Sequence, residues 1–302
     1  MPRAAGKDIA EIFGHAPDDT SENAQSLWTV GACPFVGNPC IKTNHDNSIT
    51  YGVCSVRNLN GDEIITCPHR MYAENYSVLK SVSEFAFGES IPFLMYDEYV
   101  RQRGSRRSVV VALGQNSGRE VGLGRHLSID WVLACVDGDR LVDFAGVEIQ
   151  TMDITGNYRD CWSSYRELHS GSSVRITPSQ HGINWANVHK RLIPQLIRKG
   201  TVFRKSNVCT KGLHFVLPEL VYQRFEQVVG DLNTASEMAA GVLTVHTYAL
   251  GSSVPNGQIR PLSRIRMERF TLEEFAEGFI TGPNLPSGTA LDAAVRRVLG
   301  LS

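Results

Sequence analysis

The sequence predicts an α/β protein, and three observations predict it. A stretch with a period of two runs from Leu127 to Thr151 and reverses at Asp137-Gly138-Asp139. Further apolar strands are expected at Ser108–Leu113, Leu213–Leu217 and Leu243–Leu250. Segments with helical spacing stand between them, at Met71–Phe87, Trp185–Lys199 and Pro218–Val229. Short strands alternating with longer helices build a sheet covered by helices.

The period-two stretch holds the chemistry. Leu127, Ile129, Trp131, Leu133 and Cys135 alternate with Ser128, Asp130, Val132, Ala134 and Val136. The return through Leu141–Gln150 puts Val147, Ile149 and Thr151 on one face, with Glu148 and Gln150 on the other. Two adjacent strands of this kind bring Asp130, Glu148 and Gln150 within reach of one another. Carboxylates on an apolar sheet are costly unless compensated. A divalent cation compensates them, and Mg2+ takes one or two carboxylates plus waters and phosphate oxygens. Such an ion activates water and stabilises charge on a phosphodiester. The alternative is two acids at strand ends facing solvent, and an acid, a gap and Glu-x-Gln is a short signal. Glu120, ahead of the Asp130 strand, is either a third carboxylate of this site or an exposed loop acid.

Taken in order, residues 8–14 read as a short helix leading into Pro17-Asp18-Asp19. A turn-rich stretch follows with Cys33, Cys40, Cys54 and Cys67, spaced C-x6-C-x13-C-x12-C. Four thiolates suit zinc or a mononuclear iron, although neither C-x2-C knuckle of a zinc ribbon is present. Cys135, Cys161 and Cys209 stand apart as packing residues. The Met71–Phe87 helix has Tyr72, Tyr76, Leu79, Val82 and Phe85 as its buried stripe. The loop Gly114–Glu120 lacks the Lys-Ser/Thr ending of a P-loop, which excludes a nucleoside triphosphate site of that type. A loop at Asp153–Arg159 enters a helix through Leu168, and a Ser-, Gly- and Pro-rich loop covers 170–184. Trp185–Lys199 is the best helix, bent at Pro194; Arg198 and Lys199 complement the dipole at its end. Two short helices, Leu272–Phe279 and Leu291–Leu299, close the chain around a Gly-Pro loop.

The chain has 302 residues, 42% hydrophobic and 20% charged, enough for a large buried core. No apolar run approaches the eighteen or so residues of a membrane span. The start, Met1–Asp8, has no hydrophobic signal region, so a cytoplasmic protein is expected. The seven cysteines then mean free thiols or a metal rather than disulfides. The net charge of −1 hides a segregation, because Thr151–Phe215 carries ten Lys or Arg against three Asp or Glu. That local excess suits a polyanion, or else is a solvated basic face.

Several texts resemble the NotI/EagI-like group of type II restriction endonucleases. They include Cys33-Pro34-Phe35, Gly52-Val53-Cys54, Cys67-Pro68, Ser128–Trp131, Gly146–Asp153, Ser179–Gly182, Asn184–Arg191 and Thr281–Pro286, in the same order over nearly the whole chain. The resemblance implies a PD-(D/E)XK nuclease fold, a mixed central sheet flanked by helices. It implies an N-terminal region, residues 1–80, with a four-cysteine metal module, and an endonuclease domain over 81–302. Carried over, Asp130 and Glu148 are ligands of a catalytic Mg2+, and Gln150 takes the position of the motif lysine. Cys33, Cys40, Cys54 and Cys67 hold a structural iron or zinc. With Gln for Lys, no cation is expected at that position, and Gln150 acts on the attacking water by hydrogen bonding.

The implied enzyme is a homodimer that cuts duplex DNA at a six-base GC-only palindrome, CGGCCG, leaving 5′ overhangs. A cognate DNA methyltransferase is its functional partner. Arg159, Lys190, Arg191, Arg204 and Lys205 are the candidates for touching DNA. A DNA-binding regulator with the metal module and no cleavage is the alternative. Acids facing a phosphate argue against it. A rubredoxin-like electron carrier fails on length and on the missing knuckles.

Overall fold

Of the stretch expected as a hairpin at Leu127–Gln150, Trp131–Ile149 forms one at the centre of a seven-stranded sheet, while Leu127–Ile129 pairs with Val121–Leu123 in a separate two-stranded sheet. The computed structural model describes residues 6–102, 108–123, 127–283 and 285–300; of the texts quoted above, Asn284 falls outside them. In chain order the first half forms β1 (Asp8–Ile12), α1 (Glu22–Val30), β2 (Val53–Arg57), β3 (Glu63–Ile65), α2 (Ala73–Phe87), β4 (Phe93–Met95), α3 (Tyr96–Gln102), β5 (Val109–Gly114), β6 (Val121–Leu123), β7 (Leu127–Ile129), β8 (Trp131–Asp137) and β9 (Arg140–Ile149). Then come β10 (Ile154–Thr155), α4 (Arg159–His169), β11 (Gly182–Ile183), α5 (Ile193–Arg204), β12 (Leu213–Pro218), α6 (Glu219–Val229), β13 (Val242–Leu250), β14 (Leu262–Thr271), α7 (Leu272–Thr281) and α8 (Gly288–Leu299). The sheet order is β14-β13-β12-β9-β8-β5-β4. β12 runs parallel to both β13 and β9, and β4 to β5; the other pairs are antiparallel. This is a mixed α/β fold.

Each face of the sheet has its own apolar layer. On one, Val78, Leu79 and Val82 of α2 pack over Val110, Leu133, Val147 and Val216, together with Cys33, Cys54 and Cys67. On the other, Leu196 and Phe203 of α5, Phe225 of α6 and Phe275 of α7 cover Leu213, Phe215 and Val245. Gly146 sets how closely α5 approaches, because a Cβ there would run into the ring of Phe203.

Three expectations are corrected. Residues 8–14 are not helical: Asp8–Ile12 is β1, antiparallel to β2 with an irregular register at Glu11. So short a helix is marginal alone, whereas the strand buries its acids with partners. Asp8 accepts from the Tyr165 hydroxyl at 2.9 Å, and Glu11 is paired with Arg70 at 3.0 Å. The strand expected through Leu127–Val136 breaks at Asp130, between β7 and β8. The helix expected to end at Lys199 is a π-helical turn at Val188–Leu192 followed by α5, which runs on to Arg204. Pro194, lacking an N–H, follows closely on the π-helical turn, where the ordinary i→i−4 ladder is already interrupted.

Beneath α2 the sheet holds a buried imidazole pair. His214 Nδ1 of β12 and His246 Nε2 of β13 lie 2.9 Å apart, and Phe85 of α2 stands edge-on to both rings. Among the described residues, His214 Nε2 and His246 Nδ1 have no partner. Burial, then the Lys211 charge, depresses His214 to about 4. Burial, His214 and Arg264 hold His246 well below its ordinary range. The unfolded chain takes up protons near the ordinary value of 6.5, which the folded chain refuses until about 4. Stability is therefore full above pH 6.5 and is lost as pH falls towards 4, by about 1.4 kcal/mol for each unit of depression. Urea midpoints measured from pH 7.5 to 5 should fall below about 6.5; a flat profile would contradict the buried neutral pair.

Candidate active site

Asp130 occupies the break between β7 and β8, where its Oδ2 accepts the backbone N–H of Ile149 at 2.9 Å. That bond ties the acid to β9 one residue beyond Glu148. Glu148 projects from the β9 face opposite Val147 and Ile149, as the alternation requires. It meets Lys199 of α5, whose Nζ lies 2.5 Å from Glu148 Oε2. Its Oε1 is buried and, among the described residues, has no hydrogen-bond partner. Burial, then the Asp130 charge, pushes Glu148 up to about 7 against the pull of Lys199. Burial also raises Asp130, opposed by the Ile149 N–H and Lys199 and assisted by the Glu120 charge.

These groups open onto a cleft of about 540 Å3. Asp130, Glu148, Gln150, Glu120, Gln195, Arg198 and Lys199 line it, with Tyr72 and Trp131 as an aromatic wall. A neighbouring cleft of about 230 Å3 shares Gln150, Thr151, Asp153 and Gln195 and adds Asn187 and Arg191. Trp131 Nε1 donates to the Tyr72 hydroxyl at 3.0 Å, fixing the wall. Behind it the backbone of Glu74, Asn75 and Tyr76 is left-handed, with φ of 54°, 53° and 61°. Each such residue costs about 1–3 kcal/mol. The packing of Tyr76 against Trp131, with ring centroids 5.6 Å apart, fixes the last of them.

Asp130, Glu148 and Gln150, expected within reach of one another, line one cleft, and Glu120 joins them as an exposed residue on the rim. Lys199 was missed. Read as a dipole-complementing cation at a helix end, Lys199 lies inside α5, only 9% exposed, and points at Glu148. Its signal was the spacing Arg191, Gln195, Arg198 and Lys199, one helical face that lines the two clefts. Of the candidate DNA contacts, Arg191 lines the second cleft. Arg159, Lys190 and Lys205 are exposed outside both clefts, and Arg204 is paired with Glu273.

Gln150 sits at the junction of the clefts, where its Nε2 donates to the Thr151 carbonyl at 2.7 Å. That bond fixes the amide and leaves its oxygen to accept from a water. Gln150→Ala should lower the single-turnover cleavage rate by about two to three orders of magnitude, the loss typical of one well-placed hydrogen bond at a charged transition state. An equally active variant would reduce Gln150 to packing.

Among the described residues, no group of three or more His, Cys, Asp or Glu is gathered so as to hold a metal ion. The Asp130 and Glu148 pair still fits Mg2+, which needs only one or two carboxylates, and Glu148 Oε1 is the orphaned oxygen such an ion would take. Cys33, Cys40, Cys54 and Cys67 are not gathered into such a group either, although thiolates are the donors that zinc and iron prefer. All four are free. Burial raises Cys33, against the backbone N–H groups of Phe35 and Val36. Burial raises Cys40 against that of Lys42. Burial lifts Cys67 to about 11 against the Lys42 charge and the His69 N–H. An N–H from two residues on, aimed at sulfur, stabilises a thiolate ligand. Ile41, Pro68 and His69, each beside one of these cysteines or one residue further, line the large cleft.

A carboxylate-lined cleft across the middle of a mixed sheet makes this an α/β enzyme. A model of the family Restriction endonuclease NotI matches residues 24–241, and the chain belongs to that family. It is a type II restriction endonuclease, a site-specific deoxyribonuclease. No curated protein sequence matches the chain. Among the described residues no helix is long and apolar enough to cross a membrane.

Proposed function

We propose that this endonuclease cuts both strands of duplex DNA in a Mg2+-dependent reaction at the centre formed by Asp130, Glu148 and Gln150, in a PD-(D/E)XK fold. The observation that carries the reading is the pair of acids, buried Glu148 on β9 and half-buried Asp130 at the break before β8, with Glu148 Oε1 unpartnered in the cleft. Asp130 and Glu148 would hold the cation, which when bound there would supply a lowered pKa for a water and positive charge for the phosphodiester. Gln150 orients that water through its free amide oxygen, and Trp131 and Tyr72 close one wall of the cleft against solvent. Glu120 adds negative potential at the rim.

The reading extends to a cytoplasmic homodimer, which matches a palindromic target by symmetry. A cognate methyltransferase protects the host's own sites. The target is the GC palindrome CGGCCG, cut to leave 5′ overhangs, with Arg191 nearest the clefts among Arg159, Lys190, Arg191, Arg204 and Lys205. Cys33, Cys40, Cys54 and Cys67 hold iron or zinc; that structural module lies within residues 1–80 and supports the cleft wall through Ile41, Pro68 and His69. Digestion of a fully sequenced plasmid with purified protein and Mg2+, followed by end mapping, tests the metal-dependent double-strand cleavage and its target. Cuts confined to CGGCCG with 5′ extensions are expected. Cuts at another palindrome would overturn the specificity alone, and no cutting with Mg2+ or Mn2+ would overturn the mechanism.

A further inference from the structure

The cleft contains a cation that the strand motif does not supply. Gln150 stands where a lysine would otherwise project from β9, and an amide carries no charge. Lys199 enters from the facing helix instead. Its Nζ is 2.5 Å from Glu148 Oε2, and the side chain is 11% exposed against 10% for Glu148. Buried ion pairs are weak devices for stability, because desolvating both charges offsets most of their attraction. This pair also lines a cleft, and it occupies only one of the two carboxylate oxygens. A purely structural bridge has no need of either property.

The charges of the proposed reaction give the cation a task. Two carboxylates and a phosphodiester bring three negative charges into a cleft with an apolar floor, and a divalent ion offsets two of them. The remaining charge, and the one that grows as a water oxygen attacks phosphorus, need a fixed positive group nearby. Arg198 also lines the cleft but is exposed, so water screens it. Lys199 is buried and held in place by α5.

Resting on the function proposed above, we infer that Lys199 is the positioning and charge-compensating residue of this active site, supplied from helix α5 in place of a lysine at position 150. It holds Glu148 by Oε2 so that Oε1 faces the cleft. It also keeps the pair of acids from repelling the phosphate. Two opposite effects separate this role from a structural one. Removing Lys199 takes a competing positive charge away from Glu148, so a divalent ion should bind the DNA-free protein at least as tightly as before. Cleavage should nevertheless slow, because the transition state loses its compensating charge.

Lys199→Met and Lys199→Gln test it, with Lys199→Arg as the charge-keeping control and Asp130→Asn alongside. Each variant is checked for its melting transition and for binding to a duplex carrying the mapped target with Ca2+ in place of Mg2+. Mn2+ binding is measured by calorimetry, and cleavage under single turnover. The neutral variants are expected to lose about a hundredfold in rate, with KM and Ca2+-supported binding within about threefold. Mn2+ binding should be undiminished, and the Arg variant should recover part of the rate. A loss of tenfold or more with Mn2+ binding retained supports the inference. A smaller loss, or one accompanied by weaker Mn2+ binding, overturns it. So does failure of both neutral variants to fold while the Arg variant folds, since the bridge is then structural. If Asp130→Asn cuts as wild type does, the site itself is misplaced, and the Lys199 inference falls with it.

Discussion

Asp130→Asn and Glu148→Gln should each abolish cleavage while leaving specific DNA binding within about tenfold, or roughly 1.4 kcal/mol. Both substitutions keep the local hydrogen bonds. An amide oxygen at 130 still accepts the Ile149 N–H, and one at 148 still accepts from Lys199 Nζ. The variants lose only the charge that a hard divalent cation requires. Affinity for duplex DNA rests mainly on phosphate contacts with basic groups, so binding survives and can strengthen as an acid leaves the cleft. Gel-shift titration with Ca2+ and single-turnover cleavage with Mg2+ separate the two quantities. Nicking by either variant at near wild-type rate would relocate the active site.

The second large effect concerns the thiols. Iron or zinc should be stoichiometric in the protein as purified, and a brief EDTA treatment that stops cleavage should leave it in place. Added Mg2+ should then restore cutting. Cys67→Ala should lose that metal and unfold, or melt more than about 10 °C lower, because binding energy at a structural thiolate site is folding energy. Without a metal, the same substitution trims one buried thiol from an apolar layer and costs about 1 kcal/mol. Cys135→Ala, a packing cysteine at the far end of β8, supplies that smaller effect as a control. Elemental analysis beside melting curves decides it. A protein that holds neither metal yet cuts fully would sink the thiolate site and leave the nuclease standing.

The parts of this architecture that were legible in the sequence are those encoded by local period. Alternation from Val147 to Gln150 put Glu148 and Gln150 on the face away from Val147, and that face is where α5 delivers Lys199. What was not legible depends on partners distant in sequence. β1 reads as a helix until β2 pairs with it and Arg70 satisfies Glu11. β14 was missed because, as an edge strand pairing only with β13, it keeps charged residues such as Arg264, Arg266 and Glu268 along its length. Lys199 was misread because its helix seemed to stop there. Only the continuation to Arg204, with Phe203 buried over Gly146, puts that lysine mid-helix. The basic excess of Thr151–Phe215 told of charge without telling its direction, and only Arg191, Arg198 and Lys199 of that excess line the two clefts.

The bare backbone at Gly146 makes the electrostatics of the cleft answerable to an apolar contact. Gly146 and Glu148 are neighbours on one face of β9, about 6.7 Å apart along the strand. Phe203 and Lys199 are neighbours along one side of α5, about 6.0 Å apart along its axis. The two repeats nearly match, so the ring on the glycine and the ammonium on the carboxylate act as two rungs of one ladder. A methyl group at Gly146 would lift the lower rung and stretch the upper. A smaller side chain at Phe203 would let the helix settle or slide. Lineages of this enzyme therefore have a route to faster or slower cutting that touches no charged residue, and a survey of rate-altering variants should find some of them in the hydrophobic floor.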